Sequence, residues 1–308
     1  NDFLRKHYVT DISSVFPSTT VAATTSILSG YSPLECGWLG WDLYFEEIGE
    51  NVAVFKNTLQ RNGEPAAKYN VAHKYIPYKN VMQRIEKVKG RKSAYCVAFF
   101  SKYRVKSVED ICKTIYKLSK KRKKKYIYAY WNQPDHAMHG HGVTSPEAHK
   151  EILHINSEVE KLCGKLKDSL IIITADHGLC DGKTKYLEDY PQLTELLKRP
   201  PSIEPRALSF FVKDGKTEEF KTEFNKIFGE SFRLMTKEEV FSENILGFGT
   251  PHPKTADFIG DFFAVALGEI NIDYKRGDFE MVGVHAGLTE EEMTVPFIAI
   301  ETEKRKRR

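Results

Sequence analysis

Cysteine is scarce in this chain and carries no pattern. Five are present among 308 residues (Cys36, Cys96, Cys112, Cys163 and Cys180), an odd number with no CxxC pair, so reduced packing residues are expected and, with them, a cytoplasmic compartment. Long apolar runs are missing too. No stretch approaches the roughly 20 apolar residues of a membrane-spanning helix. The opening NDFLRKHYVTDISS lacks the charged-then-apolar order of a secretory leader, so the expectation is a soluble, unexported chain. There is no internal repeat and no low-complexity tract beyond two basic runs. What is present, 41% hydrophobic and 29% charged residues, suffices for a large core in one α/β domain or a domain with a smaller insert.

One sign of charge is hardly in excess. The formal net charge of +4 becomes −1 once the five basic residues Lys304 to Arg308 are set aside. A second basic run, Lys120 to Lys125, precedes an apolar strand pattern. Neither is interleaved with aromatic side chains as a single-strand nucleic-acid surface would be, so both read as solvated surface and nucleic acid is not expected as the main partner.

Strand and helix patterns alternate along the chain. After Pro17 a small-residue segment leads into Val21 to Leu28, with Gly30 and Pro33 beyond, which predicts a helix from Thr20 to Gly30. Thr20 would then stand at a helix N-terminus, where free backbone N–H groups favour a phosphate. YIYAY (126–130) and LIIIT (170–174) read as buried parallel strands. Between them Ser145-Pro146 opens a helical pattern to about Leu166, completing one βαβ unit. ALSFFV (207–212) reads as a strand, 217–228 as a helix and 297–300 as a final strand. The segment from about 48 to 117 holds no ligand block and reads as a peripheral or cap region of a single domain, 1–308.

Four polar blocks carry the chemistry: Thr20 in FPSTT, Asp135 and His139 in PDHAMHGHG, Asp176 and His177 in TADHG, and His285 in GVHAGL. Carboxylate oxygen and imidazole nitrogen are the donors a divalent metal pair takes, and two such ions can clamp the attacking and leaving oxygens of an in-line displacement. Asp135 and Asp176 each follow a strand, at the carboxyl edge where ligand sites of α/β sheets gather. Each block alone has a plain structural reading: Thr20 as a helix cap, Asp176 as a strand-end cap, an Asp-His pair as a hydrogen-bonded couple. Their joint order is the signal. His136, His141 and His252 are secondary candidates for ligand, phosphate or neighbouring contacts, and His7, His73, His149 and His154 read as surface residues.

FPSTTVAATTSILSGYSP, YWNQPDHAMHGHG, ITADHG and VHAGLTEEEMTVPF resemble the type I phosphodiesterase/nucleotide pyrophosphatase family of the alkaline phosphatase superfamily. The resemblance implies an alkaline-phosphatase-like three-layer α/β sandwich, mostly parallel with helices on both faces. It implies a hydrolase of phosphoric esters or diesters in which Thr20 is the nucleophile and passes through a phosphothreonine. By the same resemblance Asp135, His139 and His285 hold one zinc, while Thr20, Asp176 and His177 hold the other; manganese is an accepted substitute. The partner implied is a small phosphorylated molecule, a nucleotide among the candidates. A sulfatase is disfavoured because its CxPxR-type motif is absent.

Two features depart from the family pattern. A further metal-binding Asp, borne by a strand well upstream of the nucleophile, has no counterpart here, and that strand is expected to lie before residue 1. An Asn that contacts the phosphoryl group in the family's diesterases is replaced by Trp41, which with Trp38 would form an aromatic wall for substrate; Trp41 and His252 are the substrate-binding candidates. A phosphomonoesterase or phosphonate hydrolase of the same superfamily, and a non-catalytic metal-binding relative, are the competing readings.

Overall fold

A computed structural model describes residues 2–121, 123–277 and 279–304. Residues 305–308 of the first basic run and Arg122 of the second lie outside the described residues. The chain divides into two compact units: Asn1–Ile12, Lys79–Ala175 and Val295–Arg308 form one, and Ser13–Tyr78 with Asp176–Thr294 form the other. The segment read as a cap therefore divides at Tyr78, part in each unit.

In the first unit Ala94–Val97 and Tyr126–Ala129 pair in parallel, joined by the helix Val108–Ser119. This is the crossover a parallel pair requires. Ser107 caps the helix, its side chain accepting Asp110 N–H, and Val108, Ile111, Cys112 and Leu118 face inward. The long helix Pro146–Lys165 starts as its sequence predicts, with Ser145 accepting Ala148 N–H and Pro146 in the first turn. It packs on the first helix through Val108, Cys112, Leu162 and Leu166.

The strand Leu170–Ile173 departs from expectation. It pairs antiparallel with Thr294–Glu301, which in turn neighbours Tyr8–Ser13. Leu170 is 67% exposed and Ile172 55%. The run LIIIT told of a strand and nothing of its partner's direction, because an apolar run is the same read from either side. Among the described residues Tyr126–Ala129 and Leu170–Ile173 are not hydrogen-bonded to one another, so the βαβ pair is the one formed with Ala94–Val97.

The second unit is built on a seven-stranded sheet in the order Phe232–Thr236, Phe262–Ala266, Ala207–Phe210, Ser202–Glu204, Asp42–Phe45, Glu50–Ala53 and Thr58–Leu59. Every pairing in it is antiparallel. Parallel pairing, expected to dominate, is seen between Ala94–Val97 and Tyr126–Ala129 and between Lys183–Tyr186 and Ile270–Asp273, whereas this seven-stranded sheet is antiparallel throughout. The reason is connection length: Glu204 pairs with Ala207 across the two-residue loop Pro205-Arg206, and such a loop can only return the chain.

Side chains alternate across this sheet. Phe262, Ala264 and Ala266 join one core with Phe220, Phe224 and Phe228, which recur every fourth residue on one face of the helix Thr217–Phe228. Phe263 and Val265 join the other, with Val21, Trp38, Leu39, Leu43, Phe45 and Val52. Burying each such phenylalanine contributes roughly 1.5–3 kcal/mol. Trp38 is therefore core and not substrate wall; its indole N–H donates to the Ile76 carbonyl at 2.8 Å.

All five cysteines are unpaired, as expected. Burial pushes the Cys36 thiol up to about 11 and the Cys112 thiol up to about 12, which suits packing residues and not nucleophiles. Among the described residues no helix is long and apolar enough to cross a membrane.

Candidate active site

Thr20 is the first residue of the helix Thr20–Ser29, which ends at Gly30 in the left-handed conformation (φ 72°). Thr19 is the N-cap, and its hydroxyl is not spent on the helix. It donates instead to Glu204 Oε1 at 2.7 Å. Val21, Ala22, Ala23, Thr24 and Thr25 are buried, so the small residues of VAATT let the helix lie close to its neighbours and hold its first turn.

The turn before the helix is tied to the chain's late histidine loop. Ser18 is fully buried; its hydroxyl donates to the Gly287 carbonyl at 2.8 Å, and its own carbonyl lies 3.2 Å from His285 Nδ1. With Nδ1 as the donor to that carbonyl, Nε2 is the acceptor nitrogen of His285.

His177 is buried and oriented in the same way, Nδ1 lying 2.9 Å from the Gly178 carbonyl. Its Nε2 is 3.1 Å from Thr20 Oγ1. The His177 and His285 rings stack, with centroids 3.9 Å apart and planes inclined by 28°. Asp176 Oδ1 accepts the His177 N–H at 3.3 Å, and its main-chain carbonyl accepts the Ser14 hydroxyl. Asp176 Oδ2 is buried and has no hydrogen-bond partner among the described residues. A buried carboxylate oxygen in that state is costly unless a cation satisfies it.

Gly178 is required by space: a Cβ there would lie 1.9 Å from the Glu291 carbonyl oxygen. Its N–H donates to the Glu292 carbonyl at 2.8 Å. The glycine after the Asp-His pair thus docks that block on the Glu290–Met293 turn.

Asp135 and His139 belong to the first unit. They occupy the first and fifth positions of the helix Asp135–His141, and His139 Nε2 is 3.3 Å from Asp135 Oδ1. Residues four apart share a helix face, which is why Asp-x-x-x-His is a workable ligand spacing. His136 and His141 ride the same short helix.

Trp41 is half-buried, its ring edge-on to exposed Phe55 (6.0 Å, 74°), with Lys56 Nζ 5.5 Å from its centroid. Its N–H donates to Glu204 Oε1 at 2.8 Å. His252 caps the helix Pro253–Phe258, Nδ1 accepting Lys254 N–H at 3.1 Å. Burial, and then Lys254, lower its pKa.

Sequence reasoning missed the largest polar feature of the second unit. Arg206 and Glu292 are both completely buried and paired through two bonds, Nε to Oε1 at 2.6 Å and Nη2 to Oε2 at 2.7 Å. Glu292 Oε1 also accepts Gly287 N–H at 2.7 Å, and Oε2 accepts the Thr289 hydroxyl at 2.9 Å. The T-E-E-E run was a readable capping box; its buried partner 86 positions away was not.

The model of the type I phosphodiesterase/nucleotide pyrophosphatase family matches residues 1–286. Among solved structures, murine ectonucleotide pyrophosphatase/phosphodiesterase 5 is similar with a TM-score of 0.69 at 17% identity, over 96% of this chain and 82% of that one. The human counterpart gives 0.70 at 17% identity, over 97% and 84%. Phosphonoacetate hydrolase from Sinorhizobium meliloti 1021, in complex with phosphonoacetate, gives 0.68 at 18% identity, over 96% and 82%. These are alkaline-phosphatase-like α/β folds, and this chain shares theirs. No curated protein matches by sequence.

Proposed function

Because the chain belongs to the type I phosphodiesterase/nucleotide pyrophosphatase family, metal-dependent hydrolases of phosphoester bonds, we propose that it cleaves a small phosphorylated substrate with Thr20 Oγ1 as nucleophile and two divalent metal ions, zinc first among them. Thr20, Asp176 and His177 would hold one ion, and Asp135, His139 and His285 the other.

The observation that carries this reading is the Thr20–His177 contact of 3.1 Å at the start of a helix, beside a buried carboxylate oxygen of Asp176 with no hydrogen bond among the described residues. The donor set of the second unit fits a metal: two imidazoles fixed through Nδ1 to main-chain carbonyls and presenting Nε2, with the Asp176 carboxylate. Bound there, the ions would lower the pKa of the threonine hydroxyl and neutralise charge on the phosphoryl oxygens.

The chain's own groups do the rest. Backbone N–H groups of the first turn after Thr19 orient the phosphoryl oxygens. Thr20 Oγ1 bonds to phosphorus as the bond to the leaving oxygen breaks, giving a phosphothreonine. Water then cleaves the phosphothreonine, releasing phosphate or a phosphate monoester and restoring the hydroxyl. One structural relative is inactive as a threonine-to-alanine variant, solved in complex with AMP, which supports both a threonine at the reacting centre and a nucleotide as substrate.

A second reading, hydrolysis of a phosphomonoester or a phosphonate, is favoured by Trp41 in place of the diesterase Asn and by the likeness to a phosphonoacetate hydrolase. Rates on bis-p-nitrophenyl phosphate, p-nitrophenyl phosphate and phosphonoacetate, with atomic emission for metal content, test both. Two zinc per chain and turnover abolished by Thr20→Ala with metal retained are expected. A Thr20→Ala variant of near-normal rate removes the nucleophile, and a chain devoid of metal and of activity on all three compounds leaves a non-catalytic relative.

A further inference from the structure

The hairpin Ser202–Phe210 carries no ligand candidate, yet its turn reaches both segments that do. Glu204 Oε1 accepts the hydroxyl of Thr19 and the N–H of Trp41, at 2.7 and 2.8 Å. Thr19 immediately precedes the nucleophile candidate. Two residues on, Arg206 sends its guanidinium the other way. Besides Glu292 it donates to the carbonyls of Ile270 and Gly268, at 2.9 and 2.7 Å. Glu292 in turn holds Gly287, two residues past His285, and its carbonyl holds Gly178, next to His177.

The fit around this pair is close. A Cβ at Gly287 would lie 2.5 Å from Glu292 Oε2 and 3.0 Å from Arg206 Nη2. Ile203, which leads into the turn, has φ +84°, and Ala286 has φ +91°. A β-branched residue in that region is strained, and strain persists only where surrounding contacts impose it. Nor is stability a sufficient reason for a fully buried ion pair, since apolar side chains of similar volume are often as stabilising. What the charges add is direction: Glu204 holds Thr19 and Trp41, and Arg206 orients Glu292, which holds Gly287 and, through its carbonyl, Gly178.

We propose that Glu204 and Arg206 are positioning residues: the Ile203–Arg206 turn is a bracket that sets the Thr20 hydroxyl against the His177 and His285 imidazoles. This rests on the metal-site reading above. Partners that orient metal ligands from behind typically change metal affinity about 10- to 100-fold when removed.

The decisive variant of the full chain is the double substitution Arg206→Met with Glu292→Leu, which keeps the volume and removes the directed bonds; Glu204→Gln and Glu292→Gln accompany it. Thermal melting reports folding, chelator competition reports zinc affinity, and imidazole NMR reports the His285 tautomer. We expect the double variant to melt near the wild type while zinc affinity falls about 10- to 100-fold, and Glu204→Gln to lower kcat with KM and zinc affinity kept. A folded double variant with wild-type zinc affinity and kcat overturns the proposal. Should it fail to fold, wild-type zinc affinity and kcat in both single variants overturn it equally. A wild-type chain that takes up no zinc counts against the metal reading alone; the bracket is then decided by the Nδ1–H tautomer of His285, whose loss in the double variant supports it and whose retention refutes it.

Discussion

His177 Nε2 faces Thr20 Oγ1 across 3.1 Å, although 157 positions separate the two residues in the chain. The contact follows from two backbone devices: a helix that begins on Thr20, and a glycine that lets the Asp-His block dock on the Glu290–Met293 turn.

Replacing His177 by alanine should therefore lower kcat/KM by roughly 10²- to 10⁴-fold, the usual range for a group acting at the reacting atoms, and should reduce bound zinc. Steady-state kinetics and atomic emission on protein checked by circular dichroism test this; unchanged zinc and kcat would place the imidazole outside the site.

Gly178→Ala should disturb the same site from behind. Its Cβ would fall 1.9 Å from a main-chain oxygen that cannot swing away, so the backbone must move. A loss on the order of 1–3 kcal/mol is expected, as for other overpacked positions. Urea unfolding measures it, and activity should fall further than residual folding explains.

Metal removal offers a third check. Dialysis against a chelator should abolish hydrolysis and lower the melting temperature, and added zinc should restore both. At a free zinc concentration 100 times Kd the stabilisation is about 2.7 kcal/mol. A melting curve indifferent to zinc would contradict metal binding to the folded chain.

Acid should stabilise part of the second unit. Burial pushes the Asp42 carboxyl up to about 6, against the pull of its Gln60 hydrogen bond, and burial with Glu280 nearby does the same for Asp273. With the folded pKa raised, the native state binds more protons than the unfolded chain between about pH 4 and the folded value. The stability these groups give is complete below about pH 4 and is lost as pH rises through 6. Asp42→Asn should therefore stabilise by on the order of 2 kcal/mol at pH 8 and little at pH 4. Urea midpoints at the two pH values test it; an equal effect at both would deny the raised pKa.

Substrate preference should respond to Trp41, which the family resemblance sets at the place of the diesterase Asn. Trp41→Asn is expected to raise the ratio of diester to monoester turnover, with the ratio of kcat/KM on the two p-nitrophenyl compounds as the measure.

Local signals were the legible part of this chain. Ser145-Pro146 predicted its helix start, Thr20 to Gly30 its helix, and 217–228 another, because caps, prolines and a 3.6-residue period act over a few positions. The four polar blocks stood out for a different reason, their order along the chain. Strand direction was not: LIIIT pairs antiparallel, and the hairpin loop Pro205-Arg206 determines the sense of its sheet without any mark in the strands themselves. The Arg206–Glu292 pair was not legible either, since nothing near either residue announces a partner 86 positions away.

Asp135 and His139 share one turn of a short helix. A single residue inserted between them would swing the imidazole about 100° around the axis. If the pair holds a metal ion as proposed above, length variation among relatives should leave the three-residue interval untouched.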